Sequence, residues 1–139
     1  MESERFYRGV FYFGSIWNFV ASVPTMFLVD ALPGMIGIEP PNHVIFIYFN
    51  LMTMFLFGCI QFTVARHLVE ARPYIRILVW SKFLTIAIFL GALAFLPMAQ
   101  GLTEFFIPGM VLDLLFGLLF LRYLFYSARR LGVDPPASA

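Results

Sequence analysis

Apolar residues run along this chain in four long stretches separated by short polar breaks. The stretches cover roughly residues 10–29, 44–65, 75–96 and 105–125. A membrane-crossing helix needs about 20 consecutive, mostly apolar residues, so each stretch predicts one such helix. The breaks carry loop chemistry. Asp30 to Asn42 holds Pro33, Gly34, Gly37, Pro40 and Pro41. Arg66 to Arg72 is polar, and Pro73 suits the first turn of the helix that follows. Pro97 to Glu104 holds Gly101. The expected fold class is all-α: a polytopic membrane protein, one four-helix transmembrane bundle, with residues 132–139 as a flexible tail.

Composition strengthens that picture. Of 139 residues, 61% are hydrophobic and 12% charged, whereas a soluble domain has about a quarter charged. Net charge is +1, so there is no nucleic-acid footprint and charge matters by position. The arginines settle the orientation. Arg5 and Arg8 precede the first stretch, Arg66, Arg72 and Arg76 lie between the second and third, and Arg122, Arg129 and Arg130 end the fourth. The other two breaks carry Asp30, Glu39, His43 and Glu104 and no lysine or arginine. Positive charge stays on the cytoplasmic side, so both termini are expected there. Arg5 and Arg8 before an apolar run also fit a secretory signal, with Val20-Ala21-Ser22 as a weak cleavage site. The length of the run, its aromatic content and Asn18 at its middle favour a retained helix.

Two charges sit inside the stretches: Lys82, the chain's only lysine, and Asp113. Ionisable groups in hydrocarbon are costly and face a bundle interior or a watery cavity. At 1.5 Å rise per residue, Lys82 lies about 9 Å in from Arg76, Asp113 about 14 Å in from Arg122, and Asn18 about 15 Å in from Arg8. Asn50 lies nearer the outside and Gln61 nearer the cytoplasm. The third and fourth helices share a short connection, so a Lys82–Asp113 pair is plausible. Against it, helical side chains lean toward the helix N-terminus, which separates the two groups. Bridging by Asn18 or water, and snorkelling of Lys82 to the cytoplasmic interface, stay open.

Asn50, Thr53, Phe57 and Gln61 share one helical face, expected to point inward. Asn18 and Ser22 share a face with Gly14 one turn earlier. Ala87/Gly91 and Asp113/Gly117 are expected to allow close helix approach. Asp113, Lys82, Asn18, Asn50 and Gln61 are therefore the ligand or proton-relay candidates. No catalytic residue is identifiable, and neither a cofactor nor a metal site is expected. His43 and His67 fall on opposite sides of the membrane, too far apart to share a metal. Cys59 has no partner for an internal disulfide. The segment Asp30–Asn42 is expected as a loop, with a short interfacial helix acting as a lid as the alternative.

Several short motifs lie along the chain: Glu4–Gly9 (ERFYRG), Trp17-Asn18, Glu39-Pro40-Pro41, Val64-Ala65-Arg66, Ser81-Lys82 and Leu112–Phe116 (LDLLF). With them the chain resembles small bacterial four-helix membrane proteins of the DoxX-like group. That resemblance implies a bacterial inner (cytoplasmic) membrane location. In better-known DoxX relatives the lysine lies in the first span, whereas here it is in the third, so their thiosulfate and quinone links transfer poorly. A looser architectural similarity to sterol isomerases and sterol-binding proteins of the EXPERA type carries no residues over. Three functions are expected, in order: an accessory or assembly subunit of a membrane complex, a binder or enzyme for a lipophilic molecule, and a proton-coupled carrier. Enzymatic activity is the less expected outcome. The partners expected are the lipid bilayer and either membrane proteins or a lipophilic ligand.

Overall fold

The computed structural model describes residues 4–35, 44–95 and 100–130, the last without the side chains of 100–102 and 105. These residues form α1 (Glu4–Leu28), α2 (Leu32–Met35), α3 (Ile45–Arg66), α4 (Arg72–Phe95) and α5 (Gln100–Arg130). Among the described residues there is no strand. Four helices among the described residues are long and apolar enough to cross a membrane. The fold class is the expected all-α four-helix bundle, and the chain is an integral membrane protein. Glu39, His43 and the tail 132–139 lie outside the described residues.

The helices outrun the apolar stretches. α1 begins at Glu4 and α5 extends from Gln100 to Arg130, because hydropathy marks only the buried length and an interfacial turn keeps its backbone hydrogen bonds. Of the segment Asp30–Asn42, only the single turn α2 is helical among the described residues. Pro33 sits within that turn, where a missing N–H costs nothing.

α1 packs most closely on α3, and α4 on α5; the two pairs meet more sparsely along α1/α5 and α3/α4. Glycine explains the closeness of the first pair. A Cβ on Gly58 would lie 2.7 Å from the Phe19 ring and 3.3 Å from Asn18 Cβ. At the same crossing Ser15 Oγ donates to the Gly58 carbonyl at 2.8 Å. Gly117 does similar work in the second pair, where a Cβ would come 3.3 Å from Lys82 Cβ. At Gly91, by contrast, a Cβ meets nothing within 4 Å among the described residues, so no close approach of the Ala87/Gly91 pair is seen among them.

The arginine-bearing ends of the helices come together, and the core fills that end. Tyr7, Phe11, Val64, Leu68, Ile75, Leu78, Phe120 and Tyr123 are all buried there. Phe11 and Phe120 stack at 4.4 Å between ring centres. Tyr123 Oη donates to the Leu68 carbonyl at 2.9 Å, fastening α5 to the α3–α4 turn. Glu4 reaches Arg8 at 3.5 Å and Arg130 at 3.4 Å. These pairs are too exposed to add much stability, but they mark the two termini as neighbours. Outward-facing positions are large and apolar, such as Phe27, Trp80 and Phe95. In a bilayer these face lipid.

Candidate functional site

The main buried core cluster ends near the level of Phe116, and a cavity opens above it. A cavity of about 220 Å³ lies between the two helix pairs, where they meet least. All four long helices line it. α1 contributes Trp17 and Asn18, and α3 contributes Asn50, Thr53, Met54 and Phe57. α4 contributes Ser81, Lys82 and Thr85, and α5 contributes Phe106, Gly109, Met110 and Asp113. The cavity runs from the Lys82–Asp113 level toward the arginine-free end.

Lys82 Nζ donates directly to Asp113 Oδ1. The lean of the two side chains had opposed this pairing. The lysine Cβ sits against Gly117, one turn below Asp113, a climb of about 6 Å. The absent side chain at Gly117 lets the lysine stem lie against α5 and rise that one turn. Lys82 is 7% exposed, so it does not snorkel to the interface. Asp113 keeps 16% of its side chain open; it is the more accessible partner. Unlike an exposed pair, a buried one is lost at high cost if one member is removed.

The other polar groups of the cavity are partly engaged. Asn18 Nδ2 donates to the Gly14 carbonyl at 3.1 Å. Thr53 and Thr85 donate to Phe49 and Ser81 carbonyls, and Ser81 to Leu78, each at 2.8 Å. Asn50 and both threonines are exposed although they line the cavity.

Of the residues singled out from sequence, Asp113, Lys82, Asn18 and Asn50 converge on this one cavity, and Gln61 does not. Gln61 is wholly buried below it, against Gly14 and near Phe116, and neither amide atom has a hydrogen-bond partner among the described residues. A Cβ on Gly14 would lie 2.4 Å from Gln61 Oε1, so the amide fits only because Gly14 has none. An unmet buried amide costs about 1–3 kcal/mol. Gln61→Leu is therefore expected to stabilise the bundle by about 1–2 kcal/mol in reversible detergent unfolding. A loss of stability instead means that the amide has a partner.

Sequence reading missed Thr85, Met54, Met110, Phe106 and Gly109 as cavity residues. A signal existed for most. Thr85 is three residues past Lys82, and Met110, Gly109 and Phe106 stand three, four and seven before Asp113, on one helical face. Compared with known proteins, the chain matches no family model, no curated protein and no solved structure.

Proposed function

We propose that this chain is a small-molecule binding protein of the bacterial cytoplasmic membrane, both termini cytoplasmic, which takes the polar head of a lipophilic molecule into the cavity above the Lys82–Asp113 pair. One observation carries the proposal: a cavity touching Asp113, lined by all four helices, with a paired charge on its floor and Trp17, Phe57 and Phe106 among its walls. Pockets mix a mostly apolar wall with a few placed polar groups in this way.

Size limits the ligand. The apolar cavity of about 150 Å³ in an engineered lysozyme holds benzene. Pockets enclosing drug-sized molecules run from about 300 to 1,000 Å³. A cavity of about 220 Å³ falls between, which suits a head group whose tail lies among the bilayer lipids. Toward the arginine end the interior is filled by buried Tyr7, Phe11, Phe120 and Tyr123, which weighs against the proton-coupled carrier. The accessory-subunit expectation rests on small size and sparse chemistry, and no specific contact surface favours it. The resemblance to DoxX-like proteins supports the architecture and the location, not an activity.

Tryptophan fluorescence tests the proposal. Trp80 faces outward and is 76% exposed, so Trp80→Phe leaves Trp17, in the cavity, as the only tryptophan. A brominated octanol is expected to quench Trp17 saturably in nanodiscs. Gly109→Leu is the control. Among the described residues a Cβ at Gly109 meets nothing within 4 Å, so the leucine enters open space in the cavity, and quenching is expected to weaken about tenfold or more while the helix content by circular dichroism stays unchanged. Linear, unsaturable quenching that is the same in both proteins contradicts binding.

A further inference from the structure

We infer that the head group this cavity selects is uncharged and carries its own hydrogen-bond donor: an aliphatic alcohol or phenol, rather than a carboxylate, an amine or a bare carbonyl. The inference rests on the binding function proposed above and draws on two further observations.

The first is charge. Among the described residues that line it, the cavity holds one cation and one anion, Lys82 and Asp113, already joined to each other. A carboxylate head would compete with Asp113 for Lys82 and leave a buried aspartate facing another anion. An ammonium head would compete with Lys82 for Asp113 and leave the lysine unpaired. Disrupting a buried pair lowers affinity by about 100-fold or more. A neutral head leaves the pair intact.

The second is the direction of the hydrogen bonds. Thr53, Ser81 and Thr85 have one hydroxyl proton each, and each proton is committed to a carbonyl of its own helix. They present lone pairs to the cavity. The ion pair uses Asp113 Oδ1, so Oδ2 remains to accept. Lys82 has three protons and commits one to Asp113. A hydroxyl matches both sides, accepting from Lys82 while donating to Asp113 Oδ2 or to a threonine. A ketone can only accept, and leaves those lone pairs without a donor.

The test is competition against the brominated octanol at Trp17, in Trp80→Phe nanodiscs. The competitors share one chain length: octanol, its methyl ketone, octanoate and octylamine, each corrected for partitioning into the lipid. The expected order is octanol tightest, the ketone about tenfold weaker, and the two charged heads weaker by about 100-fold. The same series on Asp113→Asn supplies a readout that a purely structural pair would not give. There Lys82 is left without its counter-charge, and octanoate is expected to overtake octanol. Octanoate or octylamine binding wild type as tightly as octanol overturns the inference while leaving a binding site in place. Saturable binding by none of the five compounds, the brominated octanol included, overturns the binding function itself. Should Asp113→Asn fail to fold, Lys82→Gln serves in its place, and octylamine is then expected to gain.

Discussion

Asp113→Ala should cost the bundle about 3–5 kcal/mol of stability, and Lys82→Met about as much. Each leaves one charge buried, with no counter-charge among the described residues that line the cavity. Even by translocon insertion, a charge at the centre of a helix costs about 2.5–3.5 kcal/mol. The double variant Lys82→Met/Asp113→Leu should behave differently. Apolar replacement of a whole buried pair is often neutral or stabilising, so the double variant should recover most or all of the loss. Denaturation of the four proteins in mixed detergent micelles closes the cycle. The coupling energy is the excess of the two single losses over the double loss. Purely additive losses mean that the pair seen between Nζ and Oδ1 does not form in the bilayer. The same double variant separates structure from function, since it should fold well and no longer bind octanol.

Gly58→Val should be the next most damaging substitution, by about 1–3 kcal/mol. Gly58 lies at a close point of the α1–α3 crossing, packed on Phe19 and Asn18 of α1. Its Cβ would enter the Phe19 ring at 2.7 Å and press on Asn18 Cβ at 3.3 Å, close to the α1 backbone. Close approach of backbones is what drives helix association where lipid removes the hydrophobic effect. Separating the helices here also strains the Ser15 hydrogen bond to the Gly58 carbonyl. Gly91→Val, with open space around it, is the matched control and should change stability by less than about 0.5 kcal/mol. Equal effects at the two glycines contradict a close α1–α3 crossing.

Much of this was legible in the chain. Four apolar stretches of the right length are direct evidence for four helices, and the one-sided arginines for their alternation. A ruler of 1.5 Å per residue placed Asn18, Lys82 and Asp113 in one layer, and the cavity contains all three. Gln61 shows where the ruler and the helical wheel part. It shares a face with Asn50, since eleven residues complete just over three whole turns, but that separation is also about 16.5 Å of rise. The cavity ends before reaching it. Gly58 was invisible for another reason: a glycine in an apolar run gains meaning only from what stands opposite, and Phe19 is known only once α1 is laid on α3. Gly91 is the converse, a small residue at suggestive spacing with nothing within 4 Å of its Cβ position among the described residues. The lysine's ascent along α5 likewise depended on Gly117, a residue without chemistry of its own.

A single lysine in the whole chain makes the decisive measurement simple. Uniform labelling with nitrogen-15 lysine gives one side-chain Nζ resonance, which needs no assignment. Solid-state NMR in lipid bilayers, with aspartate carbons also labelled, then measures the Nζ–carboxylate coupling and its response to octanol. The expected result is one ammonium signal dipolar-coupled to an aspartate carboxyl carbon, lost in Asp113→Asn, and shifted saturably by octanol in wild type but not in Gly109→Leu. A lysine signal with no carboxylate coupling, or one indifferent to octanol while Trp17 is saturated, contradicts a ligand site floored by the Lys82–Asp113 pair.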